Sequence, residues 1–234
     1  TGERTLFLEG HLRTLGLSPD SGHFLYWKDN DVWDYQLDDN RHVNLTESAA
    51  TDFTNQGYDR FGEKPPHGIA GYAANGAGVL LYDRYDMWLQ PYDGSSASNL
   101  TGGYGTEGET RLRYVRTNPD EIEVDLEEPL LLEGFGEFTK KEGFFELDGS
   151  SLRELTWEDR RFGTPSRAAD TDRYLFTAQT FQEFPDLWVT DGLVGPRVAK
   201  DEHGISDLVP VLTFRETPMY LAFSKETDPA VVEE

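Results

Sequence analysis

Hydrolysis without a metal needs a nucleophile, a base beside it and a group that orients the base. Five histidines are available as bases: His11, His23, His42, His67 and His203. They fall one to a segment, with no common spacing to a serine or an acid. A nucleophile elbow reads Gly-x-Ser-x-Gly, because a strained strand-to-helix turn must expose the hydroxyl between small neighbours. Gly94-Ser95-Ser96 and Gly204-Ile205-Ser206 lack both the second glycine and a helix to follow. The histidines therefore read as turn and surface residues. The chain has no cysteine, which removes thiolate nucleophiles, thiolate metal sites and disulfides. No histidine pair has ligand spacing on a helix, so no zinc site is expected. Asp38-Asp39-Asn40 and Asp20-Ser21-Gly22 carry too few carboxylates for a calcium loop and read as hairpin turns. The expectation is a chain with no catalytic, metal or cofactor residues, and with substrate-binding residues unassigned. Among 44 acidic residues, two carboxylates about 5–10 Å apart, as glycoside hydrolysis needs, stay open as a third reading.

The scaffold that would position any site is a repeat. Asp31-Val32-Trp33 precedes Asn44-Leu45-Thr46, and Asp86-Met87-Trp88 precedes Asn99-Leu100-Thr101, 55 positions further on. A third Leu-Thr pair, Leu155-Thr156, lies another 55 positions along, and a third Asp-x-Trp is Asp186-Leu187-Trp188. Self-similarity at this pitch means one supersecondary unit, repeated and stacked. Turn signals divide each unit into four strands. The first has Thr14–Pro19, Gly22–Lys28, Asp31–Leu37 and Arg41–Thr46. The second has Ile69–Ala74, Gly78–Asp83, Asp86–Tyr92 and Ala97–Thr101. The third has Arg111–Arg116, Pro129–Phe135, Gly143–Leu147 and Leu152–Thr156. The fourth has Pro165–Ala169, Arg173–Ala178, Asp186–Thr190 and Arg197–Ala199. Second strands such as Phe24-Leu25-Tyr26-Trp27, Val79-Leu80-Leu81-Tyr82 and Tyr174-Leu175-Phe176 are apolar on both faces. No amphipathic helix is at hand to cover them, so each sheet must be covered by its neighbours. That is a β-propeller arrangement.

The fold class expected is all-β, a partial β-propeller of about four four-stranded antiparallel blades. The blades span about 11–46, 69–101, 111–156 and 164–200 of a single 1–234 propeller segment, and 201–234 is a divergent tail. The tryptophans of the Asp-x-Trp pairs are expected between blades, with each Asp capping the turn into strand three. Asn44-Leu45-Thr46 and Asn99-Leu100-Thr101 also satisfy a glycosylation sequon, but repeat structure explains both. Two connections emerge on one propeller face, Glu47–Gly68 and Gly102–Thr110. The first is 22 residues long and carries Tyr58, Arg60, Phe61, Lys64, Pro65, Pro66 and His67, which marks it for contact with a partner domain or substrate. Residues Thr117–Glu128 form an acidic excursion in the third unit.

Composition excludes other classes. A net charge of −23 denies the basic footprint that nucleic acid requires. No apolar run reaches the ~18 residues of a membrane span, and no signal-peptide pattern opens the chain, which starts at Thr1 and reads as a piece of a longer product. Lack of cysteine leaves periplasm and cytoplasm both compatible, a periplasmic or secreted setting being slightly favoured.

Several stretches resemble a known family. Leu17-Ser18-Pro19-Asp20-Ser21-Gly22 with Leu25-Tyr26 resembles a blade motif of prolyl oligopeptidase and Tol-type propellers. Lys64–Tyr72, Leu81–Trp88, Asn99–Gly105, Leu112–Arg116, Trp157–Gly163 and Phe181–Val189 look like the propeller of bacterial serine peptidases of the prolyl oligopeptidase family, over roughly residues 15–200. The resemblance implies a parent in which the propeller gates peptide access to a C-terminal α/β-hydrolase domain holding the Ser, Asp and His. The partners implied are that domain of the same polypeptide and peptide substrates. The chain alone would then be inactive. From His203 onward, including Pro210–Phe214 and Met219–Phe223, the family pattern is lost. Glu127-Glu128 lacks the context of the amine-holding glutamate pair in the dipeptidyl-peptidase branch, so that role is not carried over. Ser18-x-Asp20-x-Gly22 also resembles a single sialidase Asp-box. The alternative is a stand-alone propeller for binding or assembly. Four blades with unpaired flanks are expected to form an open arc or to dimerise.

Its 15 arginines outnumber 6 lysines against 44 acids, a surface suited to high salt, where self-repulsion is screened. We expect the urea midpoint to rise between low and molar sodium chloride; a flat response would show an ordinary acidic surface.

Overall fold

The computed structural model describes all residues except 1, 3, 5, 11, 12, 170, 172, 192–208, 215–220 and 224–234. Strands dominate; helix among the described residues is limited to one turn at Tyr104–Gly108 and a 3-10 turn at Ala74–Gly76. The strands are β1 Thr14–Leu17, β2 His23–Lys28, β3 Asp31–Gln36 and β4 Arg41–Asn44, then β5 Ile69–Ala73, β6 Gly78–Tyr82, β7 Met87–Gln90 and β8 Ser98–Asn99. They continue with β9 Thr110–Tyr114, β10 Leu130–Gly136, β11 Glu142–Asp148 and β12 Ser151–Glu158. The last are β13 Arg161–Phe162, β14 Ser166–Arg167, β15 Arg173–Gln179, β16 Asp186–Asp191, β17 Val209–Phe214 and β18 Leu221–Phe223. The first three sheets are antiparallel four-stranded meanders in chain order, β1 to β4, β5 to β8 and β9 to β12. This is the expected all-β, partial-propeller class.

The fourth sheet differs from the four-stranded expectation. It has six strands, in the order β13-β15-β16-β17-β18, with β14 also on β15. Its first strand is split because Gly163, Thr164 and Pro165 interrupt the pairing between β13 and β14, leaving one backbone bond, Gly163 N to Thr177 O at 2.8 Å. The place beside β16 is taken by β17. The outer strand expected at Arg197–Ala199 lies outside the described residues. So do most of the tail, His11, His203 and Gly204-Ile205-Ser206.

The chain divides into two units, one of residues 1–107 with 121–128 and the other of 108–120 with 129–234. Unit 1 holds the first two sheets. Their facing sides share one core of Leu25, Trp27, Val32, Leu45, Phe53, Val79, Leu81 and Tyr92. The same unit contains part of the acidic excursion: Val124 is buried, and its backbone pairs beside β5 through Val124 N to Tyr72 O at 2.7 Å and Ala74 N to Val124 O at 2.9 Å. Unit 2 holds the other two sheets around Val115, Leu131, Phe144 and Tyr174. In β2 and β6 the doubly apolar runs are buried on both faces, from Leu25 to Trp27 and from Val79 to Tyr82. In β15 they are not. Tyr174 and Phe176 are buried but Leu175 between them is exposed, so one face of that strand is open among the described residues.

Each Asp-x-Trp···Asn-Leu-Thr module closes on itself. Thr46 Oγ1 donates to Asp31 Oδ1 at 2.9 Å and accepts the Val32 amide at 2.9 Å. Fifty-five residues on, Thr101 Oγ1 donates to Asp86 Oδ1 at 2.6 Å and accepts the Met87 amide at 3.2 Å. The asparagines repeat as well, Asn44 Oδ1 accepting from the Thr46 amide and Asn99 Oδ1 from the Thr101 amide. The Asp therefore ties strand three to the exit of strand four, rather than capping the turn before strand three. That turn is made by Asp29 and Asn30, both at positive φ as a tight I′ hairpin requires; in the second sheet it is Asp83 that accepts the Tyr85 and Asp86 amides. Trp33 and Trp88 occupy matching places, opposite Asn44 and Asn99, and each Nε1 donates to the residue five positions earlier. Both are half-buried. The tryptophan sealed in the unit 1 core is Trp27, on the second strand.

The third Leu-Thr pair lacks this closure. A bulge between Phe144 and Phe145 shifts the register of β11 against β12, and Thr156 Oγ1 reaches only Glu158, at 3.3 Å. We therefore expect Thr101→Val, which keeps the side-chain shape, to cost about 1–3 kcal/mol, and Thr156→Val about 1 kcal/mol or less, by urea denaturation. Equal losses would contradict the repeated closure.

Candidate functional site

The long connection Glu47–Gly68, marked in the sequence for partner contact, is largely a folded plug. Phe53 enters the core and Thr54 is buried. Asn55 N donates to Pro65 O at 2.8 Å and His67 N to Phe53 O at 2.9 Å, so the loop pairs with itself. Trp27 Nε1 holds it through Lys64 O at 2.7 Å, and Arg13 lies over the Tyr58 ring at 5.5 Å. Its tip, with Arg60 and Phe61, is exposed.

Unit 1 also holds the nearest approach to a hydrolytic constellation. His23 Nδ1 pairs with Asp34 Oδ2 at 2.6 Å, and the ring stacks on Tyr92 at 3.7 Å. An acid-oriented imidazole is half of a triad. The missing half is a nucleophile, and the nearby Ser18 is already engaged. Its hydroxyl donates to Asp20 Oδ1 and accepts the His23 amide at 3.0 Å, closing the Ser18–Gly22 turn. Burial raises the Asp34 carboxyl above its usual range, opposed by the hydrogen bond from His23. Asp34 Oδ1 and Tyr72 Oη are buried without a hydrogen-bond partner. The Tyr72 and Tyr92 phenols are pushed up by burial, so they stay protonated across the physiological range. The other described histidines serve elsewhere. His42 Nδ1 meets Tyr26 Oη at 2.8 Å, and His67 belongs to the loop pairing. Ser95 donates its amide to Asp93 and gives its carbonyl to Gln90. Glu127 and Glu128 are exposed, with the Glu127 amide on Asp125 Oδ1. Among the described residues no three acids or histidines gather as metal ligands.

The open site lies in unit 2, between its two sheets. A cleft of about 690 Å³ is lined by Arg111 and Arg113 of β9, Glu133 and Phe135 of β10, Glu142 and Phe144 of β11, Arg161 and Phe162 of β13, and Thr177 and Gln179 of β15. Register explains the grouping. Arg111 stands opposite Phe135, which stands opposite Glu142; Arg113 stands opposite Glu133, which stands opposite Phe144. Cross-strand partners project to one face. The floor is the Gly134–Gly143 pair. A side chain on Gly134 would collide with the Phe145 ring and one on Gly143 with the Thr156 carbonyl, both on the face away from the cleft, so glycine at these places lets that face pack closely behind the floor. Glu142 ties the two sheets, accepting the Phe162 amide at 2.9 Å. The Arg111 guanidinium lies over the Phe135 ring at 5.1 Å. Glu133 loses water to its surroundings and faces Glu142, which together push its carboxyl above the ordinary range, against the pull of Arg111 and Arg113. Sequence reading left this cleft unseen. Its charged residues sit on strands that look like ordinary alternation, and only the cross-strand register gathers them.

No family model matches the chain, and no curated protein matches it. Solved structures that it matches include a TolB-type protein from Agrobacterium tumefaciens, at 13% identity and a TM-score of 0.39, covering 76% of this chain and 57% of that one. TolB from Acinetobacter baumannii matches at 13% identity and a TM-score of 0.39, covering 85% of this chain and 43% of that one. The chain thus spans about half the length of these structures. The fold assignment rests on the sheets themselves.

The Asp20 carboxyl is held below its usual range, first by the Ser18 hydroxyl and then by the Gly22 amide. A lowered acid stabilises the fold above its unfolded pKa and loses that contribution as pH falls through the folded one. We expect Asp20→Asn to be less stable than the parent at neutral pH, and the gap to close as pH drops below the ordinary carboxylate range, by urea titration at stepped pH. A pH-independent gap would show that the charge has no part in the turn.

Proposed function

We propose that this chain is the non-catalytic propeller segment of a serine peptidase of the prolyl oligopeptidase family, admitting peptides to an α/β-hydrolase domain of the same polypeptide. The observation that supports a non-catalytic role is the engagement of Ser18. Its hydroxyl is used to close a turn while its neighbour His23 is held by a buried acid, so Ser18 is not free to serve that base as a nucleophile. The peptidase reading draws on the motifs from Lys64 to Val189 quoted above. The alternative, a stand-alone binding or assembly propeller, is favoured by the exposed Phe138, Phe181 and Phe184, which suit a surface meant for contact.

Both readings give the isolated chain no hydrolytic activity. We expect no cleavage of fluorogenic peptides and no labelling by a fluorophosphonate probe, read by fluorescence and by intact mass. Stoichiometric labelling of a serine in this chain would overturn both. The downstream coding sequence separates them: Gly-x-Ser-x-Gly at a strand-to-helix turn supports the peptidase reading, and its absence supports the stand-alone propeller.

A further inference from the structure

The unit 2 cleft carries positive charge within a strongly negative chain. Three arginines face two glutamates there, while the whole protein stands at −23. The glutamates are partly spent. Glu142 accepts a backbone amide from the facing sheet, and Glu133 is driven toward its neutral form by burial and by Glu142. Arg111 and Arg161 are not spent: among the described residues neither guanidinium forms an ion pair within 4.0 Å with a carboxylate. An arginine fork left open in a recess beside aromatic rings is arranged for a planar anion. A singly charged carboxylate also costs less to take out of water into this recess than a doubly charged phosphate.

Exposed apolar side chains lie in connections that adjoin the cleft-lining strands. Phe138 lies in the turn from β10 to β11, and Phe181 and Phe184 lie in the connection from β15 to β16; all three are strongly exposed. Both connections adjoin strand ends that line the cleft: Phe135 and Glu142 flank the first, Gln179 and Pro185 the second. Exposed phenylalanines in the connections next to these strand ends, together with a recessed anion site, suit a ligand with an apolar body and a charged end.

We propose that this cleft binds the C-terminal carboxylate of a peptide ending in an apolar or aromatic residue, with Arg111 and Arg161 on the carboxylate and the phenylalanines at the mouth on the side chains before it. The assignment stands whether or not a hydrolase domain follows, because it concerns binding by this chain alone.

The test is fluorescence anisotropy of the purified chain with an N-terminally labelled hexapeptide ending in Leu-Phe. Its C-terminal amide and a version ending in Leu-Ser serve as comparisons, and inorganic phosphate serves as competitor. Saturable binding is expected, weakened at least tenfold in the amide and several-fold in the Ser-ended peptide, with phosphate competing poorly. Arg111→Gln and Arg161→Gln should each weaken the acid at least tenfold and leave the amide unchanged. Arg161→Lys, which keeps the charge but loses the fork, should fall between. Thermal melts matching the parent exclude misfolding, and Phe181→Ser at the rim supplies a second variant, expected to weaken both peptides several-fold. Equal binding of acid and amide, parent-like affinity in folded Arg variants, phosphate competing as well as peptide, or no binding at millimolar peptide would each overturn the proposal.

Discussion

A strand that is apolar on both faces has no stable place at a surface, and that constraint organises unit 1. Leu25 and Trp27 of β2 point one way and Tyr26 the other, and all three are buried. Val79 and Leu81 of β6 alternate with Leu80 and Tyr82 in the same manner. With burial stabilising by about 25 cal/mol per Å² of apolar area, two such strands supply more driving force than one small sheet can shelter. The solution is one sheet laid against the next, with Val32, Leu45 and Phe53 filling the space around Trp27. Phe53 belongs to the long connection, so the loop that follows the first sheet is itself part of the core.

Stacking of sheets demands that each keep its edge in register, and the Asp–Thr closure does this twice. It joins strand three to the residue just past strand four, through a hydroxyl that donates to the acid and accepts an amide. Asp86 takes on more than Asp31, accepting the Gly105 and Thr106 amides and the Thr106 hydroxyl as well. A buried carboxylate with that many donors is costly to move, and it fixes the departure of the chain from the second sheet. The third sheet, in unit 2, lacks the closure at Thr156. That sheet accommodates a bulge at Phe144 and Phe145, and glycine at 134 and 143 makes room for the Phe145 ring and the Thr156 carbonyl on the face away from the cleft. The regular half of the repeat carries the closures, and the irregular half holds the open site.

What could be read from the residues followed this division. The 55-residue pitch, the three meanders and the doubly apolar strands β2 and β6 were legible, because hydrophobic period and turn residues report them directly. The role of the repeated Asp was misread, since sequence shows which residue precedes a strand but not which hydroxyl returns to meet it. Of the repeated tryptophans expected between sheets, Trp88 packs against the shared core, while the fully sealed tryptophan there is Trp27, which the repeat does not mark. Leu175 was expected to be buried like its neighbours and faces outward, because a doubly apolar strand is covered only where a second layer exists. The cleft could not be found in this way. Arg111, Glu142 and Arg161 are separated by 19 to 50 positions and meet only through strand register and sheet packing.

The central claim is that the two sheets of unit 1 stand or fall together, each covering the other's inner strand. Native-state hydrogen exchange at the amides of Leu25, Trp27, Val79 and Leu81 measures this most directly. The account predicts one common opening free energy for all four, with the same denaturant dependence. Exchange from β6 through a smaller, separate opening that leaves β2 protected would contradict it.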